Sequence, residues 1–141
     1  MNLINKIRLL SKICNLPNLK GEDALANQIA MVLTGYTLDN QLKGVWFHVP
    51  NESVVSKENK LKDILRIQRK HCMGLINGVP DFVFISKEKS LFIEVKTDKG
   101  RLSESQVYFR DWSIDEKIDY YIARSVEEVK DILIRNKLLT I

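Results

Sequence analysis

Apolar residues recur along this chain with two different periods, and the places where one period gives way to the other outline the fold. Leu3, Ile4, Ile7, Leu10 and Cys14 fall at helical spacing until Pro17, which predicts a short amphipathic helix over residues 3–14 whose apolar face needs a partner. After Gly21 a second helical segment places Leu25, Ile29, Val32 and Leu33 on one face, with Gly35 positioned to close it. The run Val45 to Val49, aromatic and β-branched between Gly44 and Pro50, reads as a strand. Helical period returns from Lys57 to Cys72 through Leu61, Ile64, Leu65 and Ile67. Two strands follow, Asp81 to Ile85 and Leu91 to Thr97, joined by the polar loop Ser86–Lys89 or Ser86–Ser90 as a hairpin.

Ser103 with Gln106 three residues on is a capping box, and the helix it opens should turn Val107, Phe109 and Trp112 inward. Asp119 to Ala123 is a further strand. Ser125 with Glu128 opens a last helix with Val126, Val129, Ile132 and Leu133 on its core face. The order is α, α, β, α, β, β, α, β, α. A strand-helix-strand crossover joins the third and fourth strands, so the expected architecture is α/β, a mixed sheet with helices against it.

Composition narrows this only slightly. The chain has 141 residues, 45% hydrophobic, with no low-complexity stretch, which fits a single domain spanning 1–141. A net charge of +4 spread over 22 basic residues gives anionic partners a mild preference. Cys14 and Cys72 lack metal-ligand spacing and read as buried, reduced thiols. The basic, partly apolar start lacks the long apolar run of a signal core or membrane span, so a cytoplasmic location and no membrane partner are expected. No internal period marks a repeat protein.

The chemistry concentrates in the strand LFIEVKT. Glu94 and Lys96 are two residues apart and share a face, about 7 Å along the strand, while Ile93 and Val95 point the other way. Charges in a strand that looks buried are costly unless paired or metal-bound, although a salt bridge along an exposed face would also explain them. A hairpin loop of four or five residues sets Glu94 opposite Asp81 or Phe82, so two carboxylates meet across neighbouring strands. They repel unless a divalent cation lies between them, and an oxygen-only set suits Mg²⁺ or Mn²⁺ rather than zinc. Lys96 beside such a pair suits catalysis on a phosphodiester or service as a structural counter-ion.

The stretch from Gly78 to Gln106, GVPDFVFISKEKSLFIEVKTDKGRLSESQ, resembles the PD-(D/E)XK nucleases and, within them, the virus-type replication-repair nuclease (VRR-NUC) family. Gly-Val-Pro-Asp, a hairpin-length gap, Ile-Glu-Val-Lys-Thr and Lys-Gly-Arg-Leu-Ser-x-x-Gln stand in that family's order and spacing. The likeness extends over about residues 20–133. It departs at Asn77, where family members usually carry proline, and at Lys117-Ile118-Asp119-Tyr120, where they often have a glycine before the aromatic residue.

The resemblance implies a restriction-endonuclease-like αβββαβ core over 21–133, with residues 1–20 as an N-terminal helical extension and a helix inserted between the first two strands. It implies a Mg²⁺- or Mn²⁺-dependent endonuclease that hydrolyses phosphodiester bonds in DNA. Asp81 and Glu94 would be metal ligands with the Val95 carbonyl as a third, and Lys96 the catalytic lysine. Gln106 matches a catalytic-site glutamine, though the capping box alone accounts for it. Glu22 matches an acidic residue that can hold a water at the metal, though first-turn glutamates are common.

Stand-alone members imply branched DNA as substrate, such as junctions or flaps. A symmetric junction presents two scissile strands, which points to a homodimer. The extension either packs on the domain or pairs two subunits. Lys99 and Arg101 beside the site, and Arg66, Arg69 and Lys70 on the inserted helix, suit phosphate contacts or plain solvated charge. His48 and Asn51 offer phosphate contacts at a strand end, with a structural role the alternative for His48. Tyr108, Phe109 and Trp112 look like core. Other readings are a non-catalytic nucleic-acid-binding module on the same fold, a restriction- or replication-associated nuclease with another substrate, and a soluble interaction protein, which predicts no metal binding.

Overall fold

A computed structural model describes residues 1–50 and 55–141; Asn51 lies outside the described residues. The chain runs α1 (Leu3–Leu10), α2 (Gly21–Leu38), β1 (Val45–His48), α3 (Lys60–Cys72), β2 (Phe82–Ile85), β3 (Ser90–Val95), α4 (Glu104–Asp115), β4 (Asp119–Ala123) and α5 (Val126–Arg135). This is the order the apolar pattern predicts. The strands form one open sheet, β1-β2-β3-β4, antiparallel except for the parallel β3-β4 pair that α4 connects. The architecture is α/β with a mixed sheet flanked by helices, consistent with a restriction-endonuclease-like core.

Register assigns each face of the sheet. Phe82 pairs with Ile93 and Phe84 with Leu91, and these side chains pack with Ile29 and Leu33 of α2 and Val129, Ile132 and Leu133 of α5 in the buried core. Trp46 joins them, its indole N–H donating to Thr37 Oγ1 at 3.0 Å, so that its one polar atom is satisfied inside the core. The opposite face carries Phe92 and Glu94. There α4 lies across the sheet, the Phe109 ring meeting Phe92 edge-on at 5.3 Å.

The N-terminal extension packs on α2 and the edge of the sheet. Asn5 is buried and donates to Leu38 O and Asn40 Oδ1. Arg8 lies over the Trp46 ring, 3.6 Å from its centroid, and donates to the Trp46 carbonyl of edge strand β1. Polar residues thus make the closest of these contacts, with Ile13 packed against the core beyond the helix, while Leu3, Ile7 and Leu10 are exposed. Among the described residues no helix is long and apolar enough to cross a membrane.

Several local expectations are corrected. The first helix stops at Leu10, because Ser11 caps it and Lys12 turns into the left-handed region at φ 48°. Cys14 therefore escapes the helical face, and both cysteines are exposed free thiols. Gly35 sits inside α2, which runs one further turn to Leu38. On α3 no residue is fully buried, and Leu61 and Leu65 are exposed. Tyr108 and Trp112 are exposed as well, since α4 turns only one narrow stripe toward the sheet.

Candidate active site

The Gly78-Val79-Pro80-Asp81 turn delivers Asp81 to the start of β2. Gly78 has φ +83°, and a Cβ there would stand 2.2 Å from Ser105 O and 2.8 Å from Gln106 N, so the turn packs directly on the first turn of α4. The hairpin register, Phe82 opposite Ile93, puts Asp81 beside Glu94, the first of the two pairings that the loop length allows. Asp81 Oδ2 accepts from the Val95 backbone N–H at 2.8 Å, which ties the carboxylate to β3.

Glu94 is 1% exposed and Lys96 7%, which removes the exposed salt bridge as an explanation. Lys96 Nζ stands 3.2 Å from Glu94 Oε1 and 3.7 Å from Glu22 Oε1, so the acidic residue in the first turn of α2 reaches the same cluster. Gln106 Nε2 donates to Glu94 Oε1 at 2.6 Å, while its Oε1 accepts from Ser103 N at 2.8 Å. The glutamine thus closes the capping box and holds the buried acid. Glu94 Oε1 takes both donors. The other oxygen, Oε2, is buried with no hydrogen-bond partner among the described residues.

Burial and the neighbouring Asp81 charge push the Glu94 carboxyl up to about 7, against the pull of Lys96. Asp81 is raised too, by burial, with the Val95 N–H and His48 opposing. Tyr120 on β4 was not singled out by the sequence. Its hydroxyl is buried without a partner among the described residues, and burial followed by the Glu94 and Asp81 charges opposes its ionisation. The signal for it was the alternation of β4, which puts Tyr120 on the Glu94 face once the parallel register is known.

Lys99 and Arg101 lie exposed on the loop after β3. That loop runs close over the cluster, since a Cβ at Gly100 would be 3.2 Å from Glu22 Oε1 and 3.3 Å from Lys96 Cδ. Arg124, for which the sequence held no signal, donates to Thr97 O and, at 2.9 Å, to Gly100 O, and so fixes the loop. His48 is exposed, its ring 5.2 Å from Phe82, and lines a groove with Asp81 and Glu22. The α3 cations stand apart: Arg66 pairs with Asp63 at 3.5 Å, and no hydrogen bond or ion pair among the described residues links Arg69 or Lys70 to the cluster. The end of α3 does bring His71 into a pocket of about 180 Å³ shared with Gly78, Ser103 and Gln106.

The fold therefore gathers Glu22, Asp81, Glu94, Lys96 and Gln106 where the N-termini of α2 and α4 meet the end of β3. Among the described residues no three His, Cys, Asp or Glu side chains form a metal-type cluster. The acids are a close pair, Asp81 and Glu94, with Glu22 turned to Lys96.

Residues 37–127, more than half of the chain, match the VRR-NUC domain. The chain belongs to the VRR-NUC family. Its fold is accordingly of nuclease type, and the match spans Asp81, Glu94, Lys96 and Gln106 while stopping short of Glu22 and the N-terminal extension. A comparison with curated protein sequences found no match.

Proposed function

We infer that this VRR-NUC protein is a Mg²⁺- or Mn²⁺-dependent endonuclease that hydrolyses phosphodiester bonds in DNA, with branched DNA as its preferred substrate. One observation carries the reading: Glu94 Oε2, buried and without a partner among the described residues, beside a second carboxylate. An unpaired buried acceptor costs about 1–3 kcal/mol, and the Asp81 charge adds to that cost. A hard divalent cation removes both penalties, and the oxygen donors present fit one. Asp81, Glu94 and the Val95 carbonyl would hold it, with Glu22 at the rim.

When bound, such a cation supplies positive charge to the scissile phosphate and acidifies water. The chain's own groups do the rest. Lys96, steadied by Glu94 and Glu22, directs an N–H at the attacking water or a non-bridging phosphate oxygen. Gln106 occupies Glu94 Oε1 and so leaves Oε2 free. Lys99 and Arg101 hold the backbone next to the cut. A homodimer would offer one such site to each strand of a symmetric junction.

The test is incubation with junction, flap, linear and single-stranded DNA, with Mg²⁺, Mn²⁺ or chelator. Cleavage of branched DNA is expected in either metal and not in chelator, with Asp81→Ala and Lys96→Ala each slower by about a hundredfold or more. Undiminished cleavage in either variant overturns the assignment, and binding without cleavage in both metals makes the protein a non-catalytic module.

A further inference from the structure

The extension that the VRR-NUC match leaves out builds a second feature beside the carboxylates. With α2 and β1 it encloses a groove of about 650 Å³, within the range of roughly 300–1,000 Å³ that holds small organic ligands. Its walls are largely apolar, Ile13 and Leu19 from the extension facing Ala26 of α2 and Trp46 of β1. The extension is tied in place, for the Asn27 side chain accepts from Leu16 N at 3.1 Å and donates to Cys14 O at 3.0 Å. Asp81 and Glu22 line the same groove, which makes it continuous with the candidate active site.

Two cations, Arg8 and Lys12, also line the groove, with Asp23 as a third carboxylate beside Glu22 and Asp81, and neither cation has an acidic partner among the described residues. Arg8 lies over Trp46 with its Nε buried and without an acceptor among the described residues. Apolar walls, the exposed Phe47 in the lining, and two cations without acidic partners among the described residues, set against an acidic site, match the parts of a nucleotide: a flat base and the phosphates on either side.

We propose that this groove is a subsite for one unpaired nucleotide, taking its base between the extension and α2 while Arg8 and Lys12 draw the flanking phosphates. The proposal deepens the nuclease reading and rests on it for the position of the scissile phosphate. A base stacked inside a duplex cannot enter. A flap, gap or branch point supplies a base that can, so the groove gives the enzyme a physical means of preferring such DNA. Burying one base against such walls is worth about tenfold in affinity.

The experiment is fluorescence anisotropy of the full chain in chelator, where no strand is cut, with two otherwise identical flap duplexes, one carrying a base at the first unpaired position and one abasic there. The base-bearing flap is expected to bind about tenfold tighter. Ala26→Phe, which fills the groove, should reduce that ratio below about twofold, whereas Lys12→Glu, at an exposed position, removes a phosphate contact common to both flaps and should weaken both while leaving their ratio unchanged. If Ala26→Phe melts early, the wild-type ratio and the loss of affinity in Lys12→Glu decide together. Equal affinity of the wild-type chain for the two flaps, or flap affinity undiminished in Lys12→Glu, overturns the subsite. Cleavage in Mn²⁺ is scored separately. A protein that cuts but does not discriminate loses the subsite and keeps the nuclease; one that discriminates but never cuts does the reverse.

Discussion

The N-termini of α4 and α5 carry the same signature, a serine with an acid or amide three residues on, yet the two caps do different work. Both serines accept from the backbone N–H three residues ahead, Ser103 from Gln106 at 3.4 Å and Ser125 from Glu128 at 3.1 Å. The difference lies in the returning side chain. Gln106 has an oxygen to close the box on Ser103 N and an N–H₂ left to hold Glu94 Oε1. Glu128 can only accept, and it takes the N–H of Arg124 at 2.7 Å. A capping signature locates a helix start, but only the chemistry of its second arm reveals whether that start also serves a site.

The buried acid at the end of the Gln106 arm gives the largest expected effect. The Glu94 carboxyl is pushed up to about 7 from an ordinary 4.5, so between those values the folded, metal-free chain binds more protons than the unfolded one. Stability is then highest below about pH 4.5 and falls as pH rises through about 7, by roughly 3 kcal/mol, with Asp81 adding in the same direction. Urea melts in chelator across that window measure the slope. Glu94→Gln should flatten most of it, and a stability that rises with pH over this interval would refute the burial account.

Gln106→Glu comes next. It preserves the acceptor the cap needs but turns a donor into a second carboxylate facing Glu94, so cleavage should fall about a hundredfold with helix content intact. A variant as active as wild type would reduce Gln106 to a cap. Gly78→Ala tests the support beneath the same cap: a Cβ 2.2 Å from Ser105 O, on a residue at φ +83°, should cost at least about 2 kcal/mol in urea. The smallest effects separate the two caps directly. Ser103→Ala and Ser125→Ala should each lose about 1 kcal/mol of stability, but only the first should also slow cleavage, because only its partner reaches Glu94.

The sequence carried most of this arrangement. The hairpin between β2 and β3 was legible because a loop of four or five residues left two neighbouring registers, and the one adopted, with four, sets Asp81 against Glu94. The parallel β3-β4 pair followed from the crossover helix. Periodicity was misleading where it named a shared face without naming a partner: α3 repeats Leu61, Ile64 and Leu65 at helical spacing yet buries none of them completely, and α1 is held to the end of α2 by Asn5 and to the sheet edge by Arg8 while its leucines are exposed. Gln106 fitted two roles in the sequence and fills both. Arg124 and Tyr120 depend on loops and strands distant in the chain meeting in space, which no local pattern encodes.

Thermal unfolding at about pH 8 with chelator or excess Mn²⁺ tests Asp81 and Glu94 as a cation site without any DNA. A ligand held only by the folded chain, at ten times its dissociation constant, adds about 1.4 kcal/mol. Wild-type protein should melt several degrees higher in Mn²⁺, whereas Asp81→Asn and Glu94→Gln should show no such rise. An equal rise in all three proteins would place the cation elsewhere and contradict that assignment.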